Sequence, residues 1–271
     1  MVSGLVAALP MYDLPELRWA TDALWGVLAA ELAELGIAAP LALDRRADHT
    51  AAWREPGLLL GQTCGYPLVT KLRGHVRVVG TPVYDASGCA GPAYSSWLVV
   101  RVGDPAQTLE DLRGRQVAFN AVTSQSGYNA LRALVAPLAR QGRFFAGATT
   151  TGGHAASLAA VASGAADLCA IDCVTWALLA RHRPAATQGL RPIGQTAAVP
   201  ALPLITAAAT DDATLLQLRA ALRTALAAPE LADARAALLL RDVAVLDEAA
   251  YGTILEQERA ALALGYPALD G

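Results

Sequence analysis

Short apolar runs alternate with longer stretches of helical periodicity along most of this chain. The short runs are bounded by turn residues and predict β-strands, whereas apolar residues recur every three or four positions in the longer stretches and predict helices. Strands are predicted at residues 4–9, 41–44, 57–60, 76–84, 96–102, 116–120, 167–171 and 202–207. Helices are predicted at residues 14–35, 127–140, 154–163, 173–182, 212–227 and 247–263. This alternation is typical of an α/β protein with mostly parallel sheets.

Two extended segments divide the predicted elements between two lobes. The run "YSSWLVVRVGD" is followed by a fresh helix-turn-strand start, and "RPIGQTAAVPALPLITA" is a proline-punctuated return near residue 200. We therefore predict a discontinuous first lobe, residues 1–101 and 197–271, with a second lobe, residues 102–196, inserted in it. Both lobes have the size of ordinary domains.

Composition and charge narrow the functional classes. The chain has 271 residues, is 54% hydrophobic and 17% charged, and carries a net charge of −3, which indicates a well-buried globular protein without a nucleic-acid-binding patch. Apolar runs are all interrupted before the roughly 20 residues that a membrane-spanning helix needs. Residues 1–10 have no basic n-region, so they predict a first strand and no secretory signal.

Cysteine and histidine spacing gives no metal site. Cys64 and Cys89 each lie beside glycine in turn-like contexts, where a disulfide and free thiols fit the sequence equally well. Cys169 and Cys173 flank an apolar strand end and are interpreted as buried thiols. None of the four histidines lies in a zinc-like register with them, so neither metal nor cofactor is expected.

The stretch "FNAVTSQSGYNALR" combines a strand, a polar loop and a helix start. The first N–H groups of a helix lack intrahelical partners and the helix dipole is positive there, so an anionic group is favoured. Ser124 and Ser126 add hydroxyl donors, and Gly127 lets a ligand approach the backbone closely. The competing interpretation is that one serine simply caps its own helix.

Similar junctions recur elsewhere in the chain. His154 opens the helix after "ATTTGG", Tyr12 precedes the first long helix, and Thr63 and Tyr66 follow the strand "GLLL". Asp172 directly follows the strand "DLCAI", where open α/β sheets place their ligands, although capping of the next helix is a strong competitor. Together these junctions predict a binding cleft formed by hydroxyl and N–H donors from both lobes.

Catalysis has weaker support than binding. The chain contains no phosphate loop, no dinucleotide fingerprint and no G-x-S-x-G nucleophile elbow. A set of Ser126, His154 and Asp172 can be written as a catalytic triad, but no spacing in the sequence supports that geometry. The protein is therefore not expected to be an enzyme.

The order of several motifs resembles a known family. The series "LPMYD", "GQTCGYPLV", "GPAYSSWLVVR", "LEDLRGRQVAFN", "SQSGYNALR" and "GGHAASLAAVASGAADLCAIDCVTW" resembles the phosphate, phosphite and phosphonate substrate-binding proteins of ABC transporters over most of residues 5–206. The resemblance implies a type 2 periplasmic-binding-protein fold, in which two α/β lobes joined by two hinge crossings close on a ligand in the cleft between them.

The resemblance also implies roles for particular residues. The "S-x-S-G" helix start would hold the phosphonate group, and Asp172 matches an acid that meets the amine of aminoalkylphosphonates. A second acid of those binders is replaced here by Thr149–Thr151, which argues against an amine-bearing ligand. Trp176 is interpreted either as a wall of the cleft or as buried packing. The expected ligand-binding residues are Tyr12, Thr63, Tyr66, Tyr94, Ser95, Ser96, Ser124, Ser126, Gly127, Tyr128, His154, Asp172 and Trp176.

The expected function is that of a non-enzymatic solute-binding protein. It would close by hinge motion on a phosphonate or phosphate-like ligand and deliver it to an ABC permease. One alternative is the same fold binding a heteroaromatic cofactor precursor or a sulfonate, and another is a cytoplasmic sensor or enzyme that uses the same cleft. The resemblance implies a periplasmic location, whereas the missing signal fits either a chain that begins at its mature residue or a cytoplasmic protein.

Overall fold

The computed structural model describes residues 4–270. Residues 1–3 and 271, which are predicted to belong to the first lobe, lie outside the described residues. The strands are β1 Val6–Ala8, β2 Leu58–Gln62, β3 Val76–Tyr84, β4 Cys89–Ala90, β5 Ala93–Tyr94, β6 Ser96–Arg101, β7 Gln116–Phe119, β8 Gly147–Thr150, β9 Leu168–Asp172, β10 Leu190–Gln195, β11 Val199–Pro200, β12 Leu204–Ala207 and β13 Leu240–Ala244. The helices are α1 Arg18–Glu34, α2 His49–Trp53, α3 Gly65–Thr70, α4 Ala130–Val135, α5 His154–Ser163, α6 Cys173–His182, α7 Asp212–Ala227, α8 Ala232–Leu238 and α9 Gly252–Ala263.

The chain divides into two compact units. Unit 1 contains residues 4–85 and 200–250, and unit 2 contains residues 86–199 and 251–270. Both units are discontinuous, because the final segment of the chain returns to unit 2. This division differs from the lobes predicted from the sequence, which put residues 86–101, 197–199 and the last 21 residues in the first lobe.

Unit 1 is built on a five-stranded sheet in the order β1-β2-β12-β3-β13. Only β1 and β2 pair in parallel, whereas β12 runs antiparallel to both β2 and β3, and β13 runs antiparallel to β3. Helix α1 buries Trp25, Leu28 and Leu32 along one face, at the three- and four-residue spacing that predicted it. Helix α7 buries Leu215, Leu218 and other apolar residues at the same spacing.

Unit 2 is built on a second five-stranded sheet in the order β10-β6-β9-β7-β8. The adjacent strands β8, β7 and β9 are parallel, whereas β6 and β10 are antiparallel additions beyond β9. One apolar cluster joins buried residues of the sheet to α4, α9 and the chain that follows α9, including Leu131, Val135, Ala261, Tyr266 and Leu269. The three parallel strands are the part of this unit that organises the candidate site.

Several sequence predictions about elements are wrong. The sheets are mixed and not mostly parallel, because strand direction depends on the path of the chain and leaves no trace in a period of two. Residues 41–44 form no strand. Leu41 is fully exposed, and the N–H of Asp44 donates a single hydrogen bond to the carbonyl of Ala7 in β1. The sequence does not predict β8 and β13, because both strands are short and partly exposed. It does not predict the seven-residue helix α8 either.

Candidate functional site

Three helical segments begin at one edge of the unit 2 sheet. Strands β7, β8 and β9 are parallel neighbours, so their carboxyl ends lie at the same edge. The chain leaves β7 for the π-helical turn Gln125–Asn129 and α4, leaves β8 for α5, and leaves β9 directly for α6. Open α/β sheets bind their ligands at such an edge, where helix N-termini present N–H groups.

The first of these starts is the serine-rich turn. Ser124 caps it, because its Oγ accepts a hydrogen bond of 3.1 Å from the N–H of Gly127. Its carbonyl accepts from the N–H of Asn129 at 3.0 Å, which completes the wider π turn. Ser126 is also buried, with its Oγ 3.5 Å from that of Ser124. The capping interpretation is therefore correct for Ser124, whereas the hydroxyl of Ser126 bonds outside its own turn. Single π turns of this kind are frequent at functional sites.

His154 links the serine turn to the start of α5. Its Nε2 lies 3.0 Å from Ser126 Oγ, although 28 positions separate the two residues in sequence. Its Nδ1 is buried and has no hydrogen-bond partner in the described part of the chain. Burial lowers the pKa of His154 from 6.5 to about 4, so the imidazole is neutral at pH 7. One ring nitrogen is then a donor and the other an acceptor.

The N-terminus of α5 follows a glycine pair and lies beside the serine turn. Gly153 precedes the helix in extended backbone, and no side chain of the described residues caps it. Thr151 bonds instead to the carbonyls of Phe119 and Gly153 and to the hydroxyl of Ser157, and so braces the loop without closing the helix. The ten-residue helix α5 therefore begins with N–H groups that lack intrahelical partners, and these groups lie beside the imidazole of His154.

Asn120 completes this cluster and was not identified from the sequence. Its Oδ1 is buried and finds no hydrogen-bond partner among residues 4–270. The carboxamide lies directly against the Cα of Gly127, because a Cβ at that position would overlap both Oδ1 and Cγ of Asn120. The same Cβ would lie 3.4 Å from Cε1 of His154. The available signal was the polar residue that ends the apolar run "VAFN", the same signal that marked Asp172.

Asp172 acts as the cap of α6. Its Oδ1 accepts hydrogen bonds from the N–H groups of Val174 at 2.8 Å and Thr175 at 2.9 Å, and its side chain is buried. Because Nδ1 of His154 has no partner in the described structure, Asp172 does not orient the imidazole as a catalytic triad requires. Trp176, one turn further along α6, is half-buried.

The expected hinge residues Tyr94, Ser95 and Ser96 all lie in unit 2 and are buried. Ser96 pairs with Asp172 across the β6–β9 ladder, so it lies at the same sheet edge. Ser95 donates its Oγ–H to the carbonyl of Gly88 at 3.0 Å and therefore holds the β4–β5 hairpin.

Tyr128 belongs to the apolar core of unit 2. Its ring centre lies 5.0 Å from that of Phe119, and the guanidinium of Arg132 lies 5.2 Å from its centroid. Burial raises the pKa of the Tyr128 hydroxyl. Because Tyr128 lies in the serine turn, its packing in the apolar core stabilises the position of that turn.

The remaining expected residues, Tyr12, Thr63 and Tyr66, belong to unit 1. Tyr12 packs edge-on against Tyr84 with ring centres 5.0 Å apart, and both line a mostly apolar cavity of about 40 Å³. Thr63 is fully buried, and its N–H bonds to the carbonyl of Pro203. Tyr66 lies in α3 and is also buried.

Two classes of feature are absent from residues 4–270. They contain no group of three or more His, Cys, Asp and Glu side chains able to hold a metal ion. None of their helices combines the length and apolar character needed to cross a bilayer.

Solved structures share this fold over nearly the whole chain. A binding protein component of a phosphonate ABC transporter from Pseudomonas aeruginosa has a TM-score of 0.75 and 16% identity, over 97% of this chain and 89% of that one. PhnD1 from Prochlorococcus marinus, in complex with methylphosphonate, has a TM-score of 0.75 and 15% identity, over 95% and 98% of the two chains. A Xanthomonas citri protein bound to ATP has a TM-score of 0.70 and 20% identity, over 97% and 98%. The predicted type 2 periplasmic-binding-protein fold is confirmed.

Curated protein sequences provide no match to this chain. The sequence profile of the family described as the periplasmic substrate-binding protein of phosphonate ABC transporters matches residues 58–251, well over half of the chain. That match includes the serine turn, His154 and Asp172, and it agrees with the resemblance seen in the order of the sequence motifs. The protein belongs to the family of phosphonate ABC-transporter periplasmic substrate-binding proteins.

Proposed function

We propose that this protein is a non-enzymatic solute-binding protein that binds a small oxyanion, a phosphonate or a phosphate-like compound, at the three-helix edge of unit 2. The observation that carries the proposal is the meeting of Ser126, His154 and Asn120 at the uncapped start of α5. Buried polar atoms are costly when they lack partners, so the unpaired His154 Nδ1 and Asn120 Oδ1 favour a polar ligand at this position.

The donor set suits an oxyanion that is held by hydrogen bonds. Hydroxyl, imidazole and N–H groups meet at this edge, and the helix dipole of α5 adds positive potential without a charged side chain. In the His154 tautomer protonated at Nδ1, Nε2 accepts the hydroxyl proton of Ser126 and the Nδ1–H is left for a ligand oxygen. Asn120 Oδ1 is an acceptor and would take the O–H of a singly protonated phosphonate or phosphate.

The same geometry supports binding in preference to acyl-transfer catalysis. A Ser–His pair at 3.0 Å resembles a nucleophile with its base, but a base with a pKa of about 4 takes up a proton poorly at pH 7. Among residues 4–270, no third group bonds to the imidazole to orient it as in a triad. Delivery to an ABC permease and a periplasmic location are parts of the proposal that follow from membership in the family.

A panel of ligands tests the proposal by calorimetry and thermal shift. Phosphate, phosphite, methylphosphonate, 2-aminoethylphosphonate and a matched alkylsulfonate are compared at equal ionic strength. A ligand at 100 times its Kd should stabilise the protein by about 2.7 kcal/mol. No stabilisation by any phosphorus oxyanion would overturn the ligand class, and selective stabilisation by the sulfonate would reassign it.

Ser126→Ala connects that result to the site. The Ser126 hydroxyl holds Nε2 of His154, so its removal frees the imidazole from the tautomer and orientation that direct Nδ1–H at the ligand. Loss of that hydrogen bond to a charged ligand costs about 1.5–3 kcal/mol, so the variant should bind roughly 10- to 150-fold more weakly. Ser163→Ala is the matched control, because Ser163 is exposed at the far end of α5 and its hydroxyl donates to the nearby carbonyl of Ala160. Equal affinity in the two variants would place the ligand elsewhere.

A further inference from the structure

Two thiols of unit 2 lie close together. Sγ of Cys89, in the β4–β5 hairpin, is 3.5 Å from Sγ of Cys173, the first residue of α6. In the sequence, Cys89 shares a turn-like context with Cys64, and Cys173 lies four positions from Cys169. Packing instead brings Cys89 and Cys173 together across 84 positions of sequence.

Backbone hydrogen bonds hold the two segments in this position. The N–H and the Oγ of Ser95 both donate to the carbonyl of Gly88 at 3.0 Å, and the N–H of Cys173 donates to the carbonyl of Ser95 at 3.1 Å. Gly88 has a φ of +97°, and a Cβ there would lie only 2.8 Å from Cβ of Cys173. A glycine is therefore required for the hairpin to approach the helix start this closely.

We propose that Cys89 and Cys173 are a dithiol that forms an intramolecular disulfide between the β4–β5 hairpin and the N-terminus of α6. A disulfide requires the sulfur atoms to be about 2.05 Å apart, so they must approach by about 1.5 Å. The backbone bonds through Ser95 already hold the two segments side by side. Rotation of the two cysteine side chains is therefore the movement that brings the sulfur atoms together.

The surroundings of the two thiols set the order of the chemical steps. Cys89 is partly exposed, whereas Cys173 is buried. The pKa of Cys173 is raised, first by the hydrogen bond with the Cys89 thiol and then by burial and by the neighbouring Asp172 carboxylate. Cys89 is thus the thiol that an external disulfide can reach, and Cys173 is the thiol that resolves the intermediate.

With oxidised glutathione as the oxidant, the two exchange steps balance. The Cys89 thiolate, its proton released to solvent, attacks one glutathione sulfur, forms a mixed disulfide and expels one glutathione thiolate. Cys173 then loses its proton, attacks Sγ of Cys89 and expels the second glutathione thiolate. Two protein thiols are oxidised to one disulfide, and the two expelled thiolates take up the two protons as one glutathione disulfide becomes two glutathione molecules.

The decisive measurement is a peptide map of the wild-type protein after equilibration with oxidised glutathione and acid quenching. We expect a linked pair of peptides that contain Cys89 and Cys173. Recovery of both residues as thiols, or a disulfide that joins either of them to Cys64 or Cys169, would overturn the proposal. This arm requires no substitution and is therefore independent of the folding of any variant.

Thiol counts in a Cys64→Ser background test the assigned order. The parent then has three thiols, and oxidation should leave one, that of Cys169, which is fully buried and whose pKa burial raises. Adding Cys173→Ser should trap a glutathione adduct on Cys89, whereas adding Cys89→Ser should leave both remaining thiols unmodified. An adduct on Cys173 in the latter variant would contradict Cys89 as the attacking thiol.

Discussion

At the residue scale, His154 carries the clearest electrostatic signature of the site. Its pKa is lowered to about 4 by burial, whereas the unfolded chain protonates near 6.5. Above pH 6.5 both states are neutral and the residue adds no pH dependence. Between pH 6.5 and 4 only the unfolded state binds the proton, so stability should fall by up to about 1.4 kcal/mol per pH unit, and the fall should stop below pH 4.

Comparison with His154→Gln isolates this contribution. Glutamine keeps hydrogen-bonding capacity but does not titrate, so the difference in unfolding free energy between wild type and variant should be constant from pH 8 to 6.5. It should then shift in favour of the variant as the pH falls toward 4. Urea denaturation at four pH values measures it, and a difference that stays flat down to pH 4.5 would show that the imidazole titrates normally.

Gly127 is required by the position of Asn120. A Cβ at residue 127 would overlap the Asn120 carboxamide, so Gly127→Ala should displace it and weaken oxyanion binding by at least about tenfold, the equivalent of one lost hydrogen bond. Asn120→Ala removes the overlapping atoms. The double variant Asn120→Ala/Gly127→Ala should therefore lose less binding free energy than the sum of the losses in the two single variants.

Gly26→Ala in α1 is the matched control for that cycle. A Cβ there meets no atom within 4 Å apart from the neighbouring backbone of its own helix, so alanine should stabilise the helix by about 0.5–1 kcal/mol and leave binding unchanged. Simple additivity of the Asn120 and Gly127 effects on binding would mean that the two residues do not share one site.

The sequence predicted which residue types gather at the site but not how they are paired. Polar residues at strand ends pointed to Ser124, Ser126, His154 and Asp172, and the structure brings the first three together at one edge. The serine–histidine bond joins residues 28 positions apart, which no local pattern encodes. Asn120 was missed because one polar residue after a strand is ordinarily a turn residue.

At the element scale, the strand-to-helix junctions were the most predictable feature of unit 2. Apolar runs located β7 and β9 to within one residue, and helical periodicity located both ends of α5 and α6. Strand β8 escaped because "GATT" is short and half exposed, so it lacks the apolar run that marks a buried strand. Without β8 in the predicted sheet, the sequence does not indicate that α5 begins beside the serine turn.

Asp172 can be tested as an element cap. Asp172→Ala removes the acceptor of two N–H groups at the start of α6 and should destabilise the protein by about 1 kcal/mol. Asp172→Asn retains an oxygen acceptor at that position and should recover most of the loss. Denaturation midpoints of both variants decide the matter; equal destabilisation by alanine and asparagine would show that the charge matters more than the cap.

At the scale of the whole molecule, the sequence predicts that the last segment of the chain belongs to the first lobe, whereas the structure groups residues 251–270 with unit 2. Helix α9 has an ordinary amphipathic pattern, and such a pattern does not indicate which unit covers its apolar face. Packing settles it: Asn129 donates to the carbonyl of Ile254 at 3.0 Å, and Arg132 donates to the carbonyl of Pro267 at 2.8 Å. These bonds span more than 120 positions of sequence.

Tyr266 is the residue that should reveal this assignment in solution. It is fully buried in the apolar cluster of unit 2, and its hydroxyl donates to the carbonyl of Leu269 at 3.0 Å. Tyr266→Ala should destabilise unit 2 by about 3–5 kcal/mol, because a large aromatic side chain is removed from a packed core. Leu264→Ala, at a position that is 54% exposed, should cost little and is the control.

Hydrogen exchange followed by mass spectrometry shows where the stability of Tyr266→Ala is lost. Peptides covering β7 and α4 should exchange faster than in wild type, since their buried residues share the cluster with Tyr266. Loss of protection confined to β2 and β12 would instead return the last segment of the chain to unit 1. Tyr266→Phe separates packing from hydrogen bonding: it keeps the ring and should lose only about 1 kcal/mol, because one hydrogen bond to the Leu269 carbonyl is removed.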